Sequence, residues 1–242
     1  MSTKSEQRAR IFDYYNSWDG QRTYVHPATV IRTLQQRRLP QHARILDIGF
    51  GNGEIALAVA QKWPHGHISG IDFTPHNVQM ARAKAQTAGL QNISFRVDDA
   101  ETWQAPEASY HAIYAMQLMQ FIHQPHDLLR RIFAALKPTG ALLFATPFLP
   151  PQAWLHPFFI DAYSRVIPNS FQYRTENAWF TALFDIGFQR IYVAKAHWEP
   201  STQPPAWQQQ YHAARQIHGI EIETARRNTW GGIISARKPA KT

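Results

Sequence analysis

The sequence predicts an α/β fold, a doubly wound sheet of seven mostly parallel strands with a helical segment ahead of it and additions after strand five. Three observations lead there. Short apolar runs alternate with amphipathic helical stretches along most of the chain, the pattern of strands joined through helices. A glycine-rich turn, "GFGNG", directly follows the first apolar run. The 242 residues include no cysteine, so packing alone must build the core, without disulfides or thiolate-held metal. Strand–helix–strand units cross over right-handedly, which makes the sheet parallel and covers both its faces.

The elements follow in order. Thr3 and Glu6 have the spacing of a capping box, after which Ile11, Tyr14, Tyr15 and Trp18 share one helical face. Pro27 suits a helix first turn, Val30, Ile31 and Leu34 form that helix's buried stripe, and Leu39-Pro40 ends it. "RILDIG" is a buried strand, Ile55 to Trp63 a helix closed by Pro64, and "HISGID" the second strand. Thr74-Pro75 caps a helix running to Gly89. "ISFRVD" and "YHAIYAM" are the third and fourth strands. Leu128, Leu129, Ile132, Phe133 and Leu136 mark a helix ended by "KPTG", and "ALLFAT" is the fifth strand. A helix from Thr175 to Asp185, closed by Gly187, leads to "RIYVA", and "GIISAR" is the final strand. Residues 147–174 and 197–228 break the rhythm with prolines, aromatics and a Gln-rich helix. Their position after strand five reads as a substrate cover on a domain spanning 41–242, with residues 1–40 as an N-terminal helical cap.

Composition bounds the function. Hydrophobic residues make up 44% and charged residues 17%, as in ordinary folded proteins. The net charge of +8 is scattered over pairs such as Arg37-Arg38, Arg130-Arg131 and Arg226-Arg227. Solvated helix faces give that pattern, so nucleic acid is not expected as a partner. The first residues are polar, without the apolar core of a signal peptide, and no stretch approaches the roughly 18 apolar residues of a membrane span. A cytoplasmic location is expected, with monomer and homodimer both open. His65/His67 and His123/His126 lack acidic companions, so no metal site is expected.

The glycines of "ILDIGFGNGE" indicate what the cleft takes. In open α/β sheets ligands bind beyond the C-terminal strand ends, beside such a turn. A dinucleotide fingerprint, G-x-G-x-x-G, would need glycine at position 54, where Glu54 stands. A diphosphate would meet that carboxylate at the helix start, whereas a cation with an amino-acid group would tolerate it. Here the sequence resembles the class I S-adenosylmethionine-dependent methyltransferases, strongly over about residues 40–150 and more weakly to 237. That resemblance implies a Rossmann-like sheet and S-adenosylmethionine as cofactor. Asp47-x-Gly49-x-Gly51-x-Gly53 looks like the family's first motif, lining the methionine part. Asp72 matches the acid that holds both ribose hydroxyls, and Phe73 would pack on the adenine. Asp99-Ala100 resembles the pair after the third strand, with Asp99 accepting from the adenine amino group. "YAMQLMQFI", with Met116, occupies the loop beside the sulfonium.

Departures from relatives narrow the chemistry. The Asn/Asp-Pro-Pro-aromatic motif of enzymes that methylate exocyclic or amide nitrogens is replaced by Tyr114-Ala115-Met116-Gln117, and cysteine-dependent carbon methylation is impossible. The layout is nearest to small-molecule methyltransferases of the ubiquinone-biosynthesis and natural-product type. His123, Tyr14 and Gln117 are the candidate catalytic residues, His123 as general base, with Gln120 beside Gln117 to orient a hydroxyl or amine. Tyr14, Tyr15 and Trp18 are expected to close as a lid, hinged near Gly20. Two alternatives remain at this point: cyclisation chemistry with release of methylthioadenosine, and RNA methylation.

Overall fold

The computed structural model describes residues 3–16, 25–166, 172–197, 205–228 and 230–240. Its first helix, α1 (Lys4–Asn16), starts with both bonds of a capping box: Thr3 N donates to Glu6 Oε2 (2.9 Å), and Glu6 N to Thr3 Oγ1 (3.2 Å). In α2 (Pro27–Gln36), His26 is the N-cap, its Nδ1 accepting from Ala28 N at 3.2 Å. The parallel core then runs β1 (Arg44–Ile48), α3 (Glu54–Lys62), β2 (His67–Asp72), α4 (Pro75–Thr87), β3 (Ile93–Val97), β4 (Tyr110–Met116) and α5 (Pro125–Ala135). After β5 (Leu136–Leu149) come α6 (His156–Val166), β6 (Arg174–Thr175), α7 (Glu176–Ile186), β7 (Gln189–His197), α8 (Pro205–Ile217), α9 (Ile222–Asn228) and β8 (Trp230–Arg237).

The main sheet has the order β3-β2-β1-β4-β5-β8-β7, with the two-residue β6 paired to the end of β5. β1 to β5 are parallel neighbours, and β8 runs antiparallel between β5 and β7. Chain order reverses between β1 and β4, where a crevice opens at the strands' C-terminal ends.

Alternate residues of each central strand serve opposite faces. Leu46, Ile48, Ile113 and Phe144 meet α5 and α7 on one side, where Trp179 and Leu183 are fully buried. Ile45, Tyr114 and Leu143 meet α2, α3 and α4 on the other, with Leu34, Val59 and Ala81. A third, smaller cluster unites Leu149 with Phe158, Phe159, Tyr163 and Tyr211 of α6 and α8. Gly187 caps α7 at φ +104°, as its position predicts, and Thr175 Oγ1 caps the other end by accepting from Ala178 N.

Two local readings differ. β5 begins at Leu136, ahead of "KPTG", where it pairs with Tyr110 of β4, and it continues through Pro147 to Leu149; the prolines read as breakers, but burying Phe148 and pairing 141–148 with β8 outweigh that preference at the far end. Thr74 precedes α4 without capping it, because its hydroxyl donates to Asp72 instead. Among the described residues, no helix is long and apolar enough to cross a membrane, and no group of three or more His, Asp or Glu is placed to hold a metal ion.

Candidate active site at the β1–β4 crevice

The turn after β1 reverses on three glycines in the left-handed region: Gly49 at φ +73°, Gly51 at +56° and Gly53 at +79°. Their roles separate. A Cβ on Gly49 would come within 2.9 Å of Leu118 Cδ1, so the turn and the loop after β4 meet there. A Cβ on Gly53 would strike Ala81 Cβ at 2.8 Å, so this glycine lets α4 approach the start of α3. Gly51 N donates to Asp72 Oδ2 at 3.0 Å, tying the turn to the end of β2.

Asp72 is buried among donors. Its Oδ1 accepts from Thr74 N (3.0 Å), Thr74 Oγ1 (2.8 Å) and Asn77 Nδ2 (3.2 Å). Burial raises its pKa, and those hydrogen bonds with that of Gly51 oppose the rise. Asp47 is more isolated: burial pushes its carboxyl well above the ordinary range, the Tyr114 hydroxyl opposes this, and the Asp72 charge adds to it. Asp47 and Tyr114 are register partners on β1 and β4. Yet Asp47 Oδ2 and Tyr114 Oη make no hydrogen bond of proper geometry among the described residues. A buried carboxylate oxygen without a donor is a place for a ligand cation.

Asp47, Asp72 and the Gly49–Gly51 turn line one cleft. Of the cofactor residues expected from sequence, Asp47, Gly49, Gly51, Asp72, Phe73, Asp99, Ala100 and Met116 line it; Gly53 does not. Gln117 lines it too, at φ +57°. His123 is absent from the lining. Its Nδ1 meets Glu101 Oε1 at 2.8 Å, its Nε2 meets Gln7 Oε1 at 3.0 Å, and its backbone N–H donates to the same Glu101 oxygen at 2.7 Å. The side chains of Tyr14 and Tyr15, together with Trp18, Gly20 and Tyr24, lie outside the described residues.

Helix α1 covers the cleft mouth. Arg8 donates to Asp99 and lies 3.4 Å from Glu101 Oε1, while Phe12 meets Phe73 edge-on at 5.7 Å. Arg8 and Ile11 thereby become part of the lining. No motif in the sequence marks Arg8, Gln7 or Glu101. The i,i+3 spacing of Arg8 and Ile11 is the one signal that puts Arg8 on the inner face.

The lining fits S-adenosylmethionine. Asp47, Asp72, Asp98 and Asp99 give it an acidic character suited to a sulfonium, an ammonium and ribose hydroxyls, while Arg8 is already engaged by carboxylates. A diphosphate has no such welcome, and Glu54 stands in the first turn of α3, 3.7 Å from Lys84.

The comparisons agree with this chemistry. Residues 45–140 match the family described as "Methyltransferase domain". The chain is 27% identical over 157 residues to the malonyl-[acyl-carrier protein] O-methyltransferase of Paenibacillus sp. (strain JDR-2), covering 62% of this chain and 56% of that one. It thus spans little more than half the length of that relative. It is 31% identical over 185 residues to the aklanonic acid methyltransferase DauC of Streptomyces sp. (strain C5), covering 74% of this chain and 81% of that protein. Its fold superposes on phosphoethanolamine N-methyltransferase 2 of Haemonchus contortus, solved with phosphomonomethylethanolamine and S-adenosylhomocysteine. That match has a TM-score of 0.74 at 17% identity and covers 99% of this chain and 61% of the other. With S-adenosylmethionine as its cofactor, this chain belongs to the class I S-adenosylmethionine-dependent methyltransferase family.

Proposed function

We propose that the protein transfers the methyl group of S-adenosylmethionine to a small-molecule acceptor in the β1–β4 crevice. The observation that carries this reading is the convergence on one cleft of the unpartnered Asp47 oxygen, the donor-wrapped Asp72 and the Gln117 loop. In this reading Asp47 pairs with the cofactor's ammonium, the Gly49–Gly51 turn seats its methionine chain, and Asp72 takes the ribose hydroxyls. Phe73, Asp99 and Ala100 surround the adenine, while Met116 and Gln117 face the reacting centre. When bound, the cofactor supplies an electrophilic methyl group. The chain's own contribution is to position the acceptor and exclude water. Helix α1 closes the mouth as part of a cap formed by residues 1–40; the domain of 41–242 carries the remaining machinery and its substrate cover. A proton released by the acceptor passes to solvent. The protein works in the cytoplasm on this reading.

Incubating the protein with methyl-labelled S-adenosylmethionine and a panel of small hydroxyl and amine compounds tests it. Label recovered in an acceptor is the expected result. Methylthioadenosine accumulating without a labelled acceptor would overturn transfer in favour of cyclisation. The companion Asp72→Asn variant should bind cofactor about 1.5–3 kcal/mol more weakly by calorimetry, since an amide group cannot accept from all of Gly51, Thr74 and Asn77.

A further inference from the structure

The loop after β4 holds two amides whose orientations are fixed by what surrounds them. Gln120 Nε2 donates to the Gln117 carbonyl oxygen at 3.0 Å. A carbonyl can only accept, so the nitrogen of the Gln120 amide must lie on that side. The same nitrogen reaches Gln117 Oε1 at 3.0 Å, which settles the second amide in turn. Gln120 Oε1 therefore faces away from both. It is fully buried, on a residue that lines the cleft, and has no hydrogen-bond partner among the described residues. An unpaired buried amide oxygen is destabilising, and a ligand that brings a donor there relieves it.

The backbone keeps the pair in place. Gln117 N donates to Ala145 O at 2.9 Å, and Gln120 O accepts from Gln172 N at 3.0 Å, which ties the two backbones to β5 and to the segment before β6.

We propose that Gln120 selects the class of methyl acceptor: its Oε1 accepts a hydrogen bond from the acceptor's own O–H or N–H, so the cleft takes a neutral hydroxyl or amine and rejects a carboxylate. The inference rests on the proposed methyl transfer and narrows it. A carboxylate would present only lone pairs to an oxygen that can only accept. A hydroxyl or amine directs its hydrogen to Gln120 and leaves a lone pair facing the methyl carbon. The new O–C or N–C bond forms as the methyl–sulfur bond breaks, with sulfur keeping that pair. The acceptor's proton leaves to water at the cleft mouth, because an amide oxygen orients a proton without keeping it.

A matched aromatic series tests the selection on the full chain saturated with S-adenosylhomocysteine. The probes are 2-naphthol, 2-naphthylamine, 2-naphthoate and 2-methoxynaphthalene, titrated by ligand-observed NMR at neutral pH. The naphthol and naphthylamine are expected to bind about ten-fold or more tighter than the other two, the ratio that about 1.4 kcal/mol gives. Gln120→Met, which keeps length without an acceptor oxygen, is expected to cut that preference below about three-fold while S-adenosylhomocysteine affinity stays unchanged. Naphthoate binding as tightly as naphthol in the wild type overturns the inference, whether or not the variant folds. So does a preference that survives Gln120→Met, or a series in which no member binds while S-adenosylhomocysteine does. Failure of S-adenosylhomocysteine itself to bind the wild type would instead overturn the methyl-transfer reading.

Discussion

Asp47 and Asp72 are carboxyls that folding removes from water, and burial raises both. For an acid whose folded pKa exceeds its unfolded one, the folded state binds the proton more tightly. Its stability contribution is therefore complete below the ordinary carboxylate range near pH ~4 and is lost as pH climbs through the raised folded value. The cofactor-free protein should lose melting temperature across that interval. Asp47→Asn removes the charge, so near pH 8 the cofactor-free variant should melt above wild type by roughly 2–4 °C, what about 1 kcal/mol gives in a chain of this size. The gap should close toward pH ~4, and S-adenosylmethionine should raise the variant's melting temperature less than the wild type's. Scanning fluorimetry over this range checks both; a cofactor-free wild type that melts higher at pH 8 would contradict the assignment of Asp47 as an uncompensated buried acid. The residues of this site were largely legible because each sits where a strand meets its loop. Gly53 shows the boundary of that legibility: a glycine required by Ala81 of a neighbouring helix has the same spacing in the sequence as one facing the cleft.

At the scale of elements, α1 illustrates what pattern reveals and what it conceals. Thr3, Glu6 and Ile11 announce a helix and its inner face, and the capping box forms as written. The partners that hold it, Asp99, Glu101 and His123, lie some ninety to a hundred and fifteen residues further along the chain. No local period encodes such a pairing. His123 shows the same gap, since its loop position pointed toward the reacting centre while its ring is occupied by Glu101 and Gln7. Arg8→Ala should loosen the helix without unfolding the domain. Amide exchange over residues 7–16 is expected to rise by about three- to five-fold, consistent with a part-exposed ion pair worth up to about 1 kcal/mol. S-adenosylhomocysteine should slow that exchange in wild type more than in the variant. Equal protection in both proteins would mean that Ile11 and the Phe12–Phe73 contact hold the helix without Arg8.

At the scale of the whole molecule, alternating strands and helices are enough to imply a mostly parallel sheet, because the crossovers and buried faces follow from local pattern even where a strand's length, as in β5, does not. The third apolar cluster around Phe158 and Tyr211 was not foreseen as a unit, since α6 and α8 meet only in space. Nor does local pattern say that β8 lies between β5 and β7. That placement has a kinetic consequence. Neighbours in the first half of the sheet are close in sequence, as Arg44 and His67 are, whereas Ala141 must wait for Arg237. Closing the longer loop costs more entropy before any contact rewards it, so the last strand should dock after the rate-limiting barrier has formed around β1 and β2. Leu46→Ala and Ile234→Ala both empty fully buried sites, each at a cost of about 2–5 kcal/mol. Stopped-flow measurements should find Leu46→Ala mainly in a slower folding rate and Ile234→Ala mainly in faster unfolding. If so, the lifetime of the native protein is governed by how long β8 stays wedged in the sheet, far from the crevice where the chemistry is placed.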